Sequence, residues 1–130
     1  MPRKESQYPD DWIRIAEKDW RRVESLLNAH DQEAAGFFLQ QATEKFLKAF
    51  LLSKDWKLKR IHDLELLLNE ALLYYNSFEK YRSVVQKISG FYFVERYPFI
   101  LEIGLTEEDI KKSVSEVKGL IETIKSHLRK

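Results

Sequence analysis

Apolar residues recur at steps of three and four along most of the chain, the spacing that aligns them on one face of an α-helix. The first stripe of this kind is made of Ile13, Ala16, Trp20, Val23 and Leu27. Asp10 or Asp11 is the expected N-cap, because a short carboxylate side chain accepts hydrogen bonds from the free amides of a first helical turn. We therefore predict a first helix that begins at one of these aspartates.

A second helix is predicted after Asp31, which has the side chain of a helix N-cap. Its apolar face combines small and large side chains, at Ala35, Phe38, Leu39, Ala42, Phe46, Leu47, Ala49 and Phe50. The alanines recur every seven residues, so they share one line along the helix. We expect a neighbouring helix to approach closely along that line.

Two further helices are predicted in the middle of the chain. The third is expected to begin at Asp63 and to bury Leu64, Leu67, Ala71 and Tyr74. Ser77 is the expected cap of the fourth helix, whose apolar residues are Tyr81, Val84, Val85 and Ile88. Gly90 is the expected end of that helix, because glycine is the residue most often found just past a helix C-terminus.

The segment 91–94 has the composition of a β-strand, but a lone strand would have no pairing partner, so we predict buried helix or irregular packing there. Pro98 disfavours helical geometry at Tyr97 and sets a boundary. The last helix is expected to begin at Thr106, where Thr106 and Asp109 have the spacing of a capping box. Its stripe is Ile110, Val114, Val117, Ile121, Ile124 and Leu128. The pattern as a whole predicts an all-α, four- to five-helix up-and-down bundle.

Composition supports a single packed domain over residues 9–130, preceded by a flexible N-terminal tail at residues 1–8. Apolar residues make up 44% of the chain and there is no cysteine, which excludes disulfides, thiolate zinc sites and cysteine nucleophiles. The histidines are far apart in sequence, so we predict no metal site and no cofactor. The chain shows no signal peptide and no apolar run of membrane-spanning length, so we expect a cytoplasmic protein without membrane contact.

The 22 basic and 21 acidic residues nearly balance, so binding to nucleic acid would require a local basic patch. Such a patch lies between the second and third predicted helices, at Lys57, Lys59 and Arg60, followed by His62. These cations lead into a helix N-terminus, a combination that favours a phosphate, and Trp56 could stack on a base. The alternative is a solvated loop with Trp56 in the core. Asp63 weighs against the helix terminus as an anion site, because its carboxylate would cap the same amides.

Two other groups of polar residues are candidates for function. Gln40, Glu44 and Lys48 form a polar row at steps of four beside the apolar stripe of the second helix, and a solvated helix face is the alternative. Arg96 is a candidate phosphate clamp because a guanidinium matches two phosphate oxygens, although Glu95 offers it a local ion pair. His62 is suited to phosphate binding or to acid–base chemistry, or holds the turn by hydrogen bonding.

Three motifs, in this order, resemble the HEPN family of small helical bundles: the segment Gln40–Ala49 on one helix, His62–Leu64 at the start of the next, and Arg96–Pro98 in a later connection. The resemblance spans the chain from about Asp10 to Ile100 and is closest to the stand-alone prokaryotic type. It implies a four- or five-helix bundle, usually a homodimer. It also implies that the polar row faces a groove between helices, where it would reach His62 or Arg96.

The ribonucleases of that family use an arginine followed, after four to six residues, by a histidine. Arg60 and His62 have one residue between them, and Arg22 and His30 have seven, so the chain departs from the pattern. We therefore expect a non-catalytic module that binds a nucleotide or RNA phosphate through Lys57, Lys59, Arg60, His62 and Arg96. The resemblance implies a separate nucleotidyltransferase as its partner, in a toxin–antitoxin-like system.

Two alternatives remain open at this stage. One is a metal-independent RNase toxin with a non-standard site made of Arg60, His62 and Arg96. The other is a helical interaction scaffold without a ligand, which the near-zero net charge permits.

Overall fold

Helices form nearly all of the described chain. The structure is a computed structural model that describes residues 6–96 and 106–128, with the side chains of residues 6–91 and 106–128. In this part of the chain there are five α-helices, one 3₁₀ helix and no strand. The elements are α1 (Pro9–Asn28), α2 (Gln32–Leu52), α3 (Leu64–Leu72), the 3₁₀ helix (Asn76–Tyr81), α4 (Arg82–Arg96) and α5 (Glu107–Leu128). The predicted all-α bundle is confirmed.

The helix α2 lies at the centre of the bundle. It contacts α1, α3, α4 and α5, and its most extensive packing is against α1. Ala35, Ala42 and Ala49 are fully buried, as the predicted close approach of a neighbouring helix requires. Nearly every residue of α2 from Leu39 to Leu52 is shielded from solvent. A polar side chain on this stretch is therefore removed from water and must find its partners within the protein.

Three of the predicted helix caps are confirmed. The Asp31 carboxylate accepts a hydrogen bond from the Ala34 amide at 3.3 Å, at the start of α2. At the start of α3, the carboxylate of Asp63 accepts hydrogen bonds from two backbone amides, at 2.9 and 3.2 Å. Thr106 and Asp109 bond reciprocally at 3.1 Å, and the hydrogen bonds from the backbone and side chain of Thr106 lower the pKa of Asp109. These helix starts are encoded locally.

The predicted start of α1 is wrong. Tyr8 occupies the N-cap position without a side-chain bond, and Pro9 is the first helical residue. Proline suits this position because its φ is already helical and its missing amide would have no helical partner. Asp10 and Asp11 lie in the first turn instead. Within the tail predicted as flexible, the Ser6 hydroxyl donates to the Asp11 carboxylate at 2.6 Å and lowers its pKa, while residues 1–5 lie outside the described part.

Three predictions about the middle of the chain are also wrong. Ser77 does not cap α4, because it lies inside the 3₁₀ helix that precedes α4. Gly90 does not end α4, which continues to Arg96. The segment 91–94 is therefore helical, which was one of the two structures predicted for it. Tyr74 follows the end of α3 and is 45% exposed rather than buried. The boundary predicted at Pro98 lies outside the described residues.

In the part of the chain that the structure describes, none of the helices combines the length and the apolar composition needed to cross a bilayer.

Candidate functional site

The polar row of α2 faces the interior of the bundle. Gln40 is 5% exposed, Glu44 is 5% exposed and Lys48 is 1% exposed. The alternative of a solvated helix face is therefore wrong. Since buried charges are costly unless they are paired, the partners of this row decide what it does.

Glu44 is the centre of this cluster. Its Oε2 atom accepts a hydrogen bond from Lys48 Nζ at 3.0 Å and lies within hydrogen-bonding distance of His62 Nδ1, also at 3.0 Å. Its Oε1 atom lies 3.5 Å from Gln40 Nε2, a long contact. The ammonium of Lys48 also lies over the ring of Trp12, 5.2 Å from the centroid, which is a favourable cation–π distance. The buried pair thus joins three parts of the bundle, since Lys48 contacts α1 through Trp12 and Glu44 contacts the connection that leads into α3 through His62.

His62 links the buried cluster to the surface. The His62 side chain is 67% exposed, although its Nδ1 atom contacts Glu44, whose side chain is only 7% exposed. The two residues are 18 positions apart in the chain. The resemblance implied that the polar row reaches His62 or Arg96, and the contact is with His62. Arg96 is the last residue of α4, and its side chain lies outside the described residues, as do Tyr97 and Pro98.

The connection from α2 to α3 folds back on the end of α2 before it reaches His62. The backbone amides of Lys54 and Trp56 both donate to the Leu51 carbonyl, at 2.9 and 3.2 Å. Asp55 completes the turn in the left-handed region, with φ of 63°. Aspartate tolerates this conformation better than most residues. The turn thereby brings Trp56 back against the end of α2.

Trp56 belongs to the core and is not a base-stacking platform. It is 8% exposed, and its Nε1 atom donates to Glu70 Oε1 at 3.4 Å. Lys59 donates to the same carboxylate oxygen at 2.9 Å. The hydrogen bonds from Lys59 and then from Trp56 hold the pKa of Glu70 below its usual value. The proposed stacking role of Trp56 is therefore wrong, and Lys59 is engaged by α3.

The other two cations of the connection, Lys57 and Arg60, are exposed to solvent. Neither forms an ion pair or a hydrogen bond with any side chain that the structure describes. The helix terminus beside them is closed to an anion, because Asp63 already accepts from the Glu65 and Leu66 amides. An anion at this surface would therefore be bound by side chains alone. Lys57, Arg60 and His62 are the candidates with free donor capacity.

Sequence reasoning missed two residues of α1 that contact charged side chains of α2. Trp12 covers Lys48, and Asp19 is 1% exposed with its carboxylate bound by Lys45 at 2.5 Å and by Arg22 at 2.6 Å. The sequence carried a signal for Asp19, because it stands three residues after Ala16 and four before Val23, on the same face. This second buried carboxylate has no histidine among its contacts.

Within the described residues, no group of three histidine, aspartate or glutamate side chains has an arrangement that would hold a metal ion.

A sequence model of the HEPN domain matches residues 9–127, which is nearly the whole chain. No curated protein and no solved structure matches the chain.

Proposed function

The chain belongs to the HEPN domain family, and from this membership and the geometry at His62 we propose that it binds a phosphate group of a nucleotide or of RNA without cleaving it. The proposal depends above all on the contact between His62 and Glu44, in which a buried carboxylate anchors the Nδ1 atom of an exposed imidazole. It follows a connection in which Lys57 and Arg60 are exposed and lack a described partner. Charge-assisted hydrogen bonds from such groups to phosphate oxygens are strong and require no metal or cofactor.

The partner implied by the family is a separate nucleotidyltransferase, in a toxin–antitoxin-like system. Support for this pairing is the family membership alone. Coexpression of this chain with the product of the neighbouring gene tests it. Copurification with a nucleotidyltransferase supports the pairing, whereas a neighbouring gene of another kind argues against it.

We also propose that the chain forms a homodimer. Several large apolar side chains on α3 and directly after it are exposed, namely Leu66, Leu73, Tyr74 and Tyr75. Exposed apolar side chains in one region favour association. Sedimentation velocity at micromolar concentration tests this, and a single species of monomer mass contradicts it.

The paired variant Lys57→Ala/Arg60→Ala tests the phosphate site. We expect its affinity for a mixed-sequence single-stranded RNA oligonucleotide to fall about tenfold or more at low salt, because two charge-assisted contacts are lost. The slope of log affinity against log salt should decrease by about 1.4, since each phosphate contact on a single strand contributes about 0.7 to that slope. Fluorescence anisotropy measures both, with ATP as a parallel ligand.

Lys59→Ala is the matched control, because it removes a cation from the same connection whose ammonium is already bound by Glu70. We expect Lys59→Ala to lose less affinity than Lys57→Ala or Arg60→Ala measured singly. The thermal midpoint of all these variants should change little, since exposed cations contribute little to stability. Unchanged affinity in the paired variant, or binding that does not respond to salt, would show that this connection has no phosphate site.

A metal-independent RNase is the second candidate, and one observation favours it. An imidazole oriented by a carboxylate at 3.0 Å is the arrangement found at general bases. Arg60 and Arg96 are the arginines that would accompany His62. Cleavage of RNA in the presence of EDTA, abolished by His62→Ala, would establish this activity in place of simple binding. Absence of both binding and cleavage would favour the ligand-free scaffold.

A further inference from the structure

The pair formed by Glu44 and Lys48 is an unusual component of a helical core. Both side chains are almost completely buried, on a stretch of α2 that is otherwise mostly apolar. A buried ion pair is a weak source of stability, because the desolvation of two charges offsets most of their attraction. The geometry around the carboxylate offers a different reason for its presence.

The carboxylate of Glu44 determines which nitrogen of His62 carries hydrogen. An ionised carboxylate, as expected beside the Lys48 ammonium, only accepts hydrogen bonds, so the Nδ1 atom 3.0 Å away must be the donor. The other ring nitrogen, Nε2, makes no hydrogen bond with any residue that the structure describes. The side chain is 67% exposed, so Nε2 is the nitrogen available to a ligand.

We propose that Glu44 is a positioning residue for His62. It holds the imidazole as the Nδ1–H tautomer and presents Nε2 to the phosphate, while Lys48 and Gln40 hold the carboxylate in place from within the bundle. Protonated His62 then donates from Nε2 to a phosphate oxygen. This inference rests on the proposed phosphate site and names the buried residues that organise it.

The tautomer of His62 gives a direct test that needs no ligand. In the wild-type protein at alkaline pH, two-bond ¹H–¹⁵N correlation spectra should show neutral His62 as the Nδ1–H form, whereas an unconstrained histidine in water favours Nε2–H. The variant Glu44→Gln/Lys48→Met removes both buried charges together and leaves no lone ammonium. We expect His62 in this variant to shift to the Nε2–H form. The loss of its signals in His62→Gln assigns the resonances.

The matched control is Asp19→Asn/Lys45→Met. It also removes one buried carboxylate and one lysine between α1 and α2, but Asp19 contacts Lys45 and Arg22 and no histidine. We expect the tautomer of His62 and the affinity for the RNA oligonucleotide to remain as in the wild type. Circular dichroism confirms that both double variants retain the helical fold.

Binding of the same RNA oligonucleotide completes the test. Glu44→Gln/Lys48→Met should weaken binding about tenfold, as expected for one lost hydrogen bond to a charged group. His62→Gln should weaken it by a similar factor, and combining the two changes should add little, because both remove the same contact. A wild-type Nε2–H tautomer, or unchanged affinity in Glu44→Gln/Lys48→Met, would overturn the positioning role. A wild-type protein that binds neither RNA nor ATP would instead refute the phosphate site itself, whatever the tautomer.

Discussion

Replacing Glu44 alone with leucine is expected to lower the free energy of unfolding by about 3–5 kcal/mol, because the Lys48 ammonium then remains buried without its counter-charge. Lys48 is 1% exposed, so its amine has no route to solvent without a rearrangement of α1 or α2. The ring of Trp12 above it offers a cation–π contact, which compensates for only a part of that cost.

The double variant Glu44→Leu/Lys48→Met should recover most of this lost free energy of unfolding. A stability equal to or above that of the wild type would also agree with the prediction. Two apolar side chains of similar volume avoid the desolvation that the ion pair requires. Guanidinium denaturation monitored by circular dichroism measures the free energy of unfolding, provided that the slope with denaturant stays constant.

Asp19→Leu is the control for this prediction. It also removes a buried carboxylate, but the side chains of its partners, Lys45 and Arg22, are 21% and 44% exposed. Their charges can turn towards water, so we expect a smaller loss than for Glu44→Leu. A single Glu44→Leu variant as stable as the wild type would mean that Lys48 finds another partner or loses its charge at little cost.

Replacing Phe50 with alanine is expected to lower the free energy of unfolding by about 3–5 kcal/mol, the range for a large aromatic side chain removed from a packed core. Phe50 is fully buried on α2. Its ring packs edge-on against Phe78 of the 3₁₀ helix and against His127 of α5, with centroids 5.0 and 5.5 Å away. The cavity would therefore open where three elements meet, and none of them can close it alone.

Phe50→Leu retains most of the apolar volume and should cost clearly less. Leu73→Ala provides the surface control, because Leu73 is 79% exposed and its truncation should change stability by no more than about 0.5 kcal/mol. These variants are measured by the same denaturation assay. A cost for Phe50→Ala as small as that for Leu73→Ala would contradict the central position of this ring.

Predictions that depend on neighbouring residues alone were the most successful. Asp31, Asp63 and the pair Thr106 and Asp109 cap the helices that they were expected to cap. Each cap is made between residues two or three positions apart, so the sequence contains all of its parts. The predictions at Asp10, Ser77 and Gly90 were wrong because each of these residues is compatible with more than one position in or beside a helix. Pro9 starts α1 before Asp10, and Gly90 tolerates the interior of α4 because helical geometry is open to it as well.

The candidate site could be predicted only in part, because its burial depends on distant residues. The spacing of Gln40, Glu44 and Lys48 places them in one row but fits an exposed face as well as a buried one. The packing of α1 over α2 decides between these, since it covers Lys48 with Trp12. Trp56 likewise stands in a basic, polar segment, and the turn at Asp55 is what directs it into the core.

The sequence by itself determined that this chain is an all-α bundle of the HEPN family, because apolar periodicity, caps and ordered motifs are properties of the linear chain. Only the tertiary structure decided that Glu44 is buried and that it contacts His62 across 18 residues. It also decided that Lys59 is bound by Glu70, whereas Lys57 and Arg60 have no partner among the side chains that the structure describes. The physical reason is that a helical stripe specifies which residues share a face. The packing of helices that are distant in sequence determines which element covers that face. It thereby also determines which charges are removed from water.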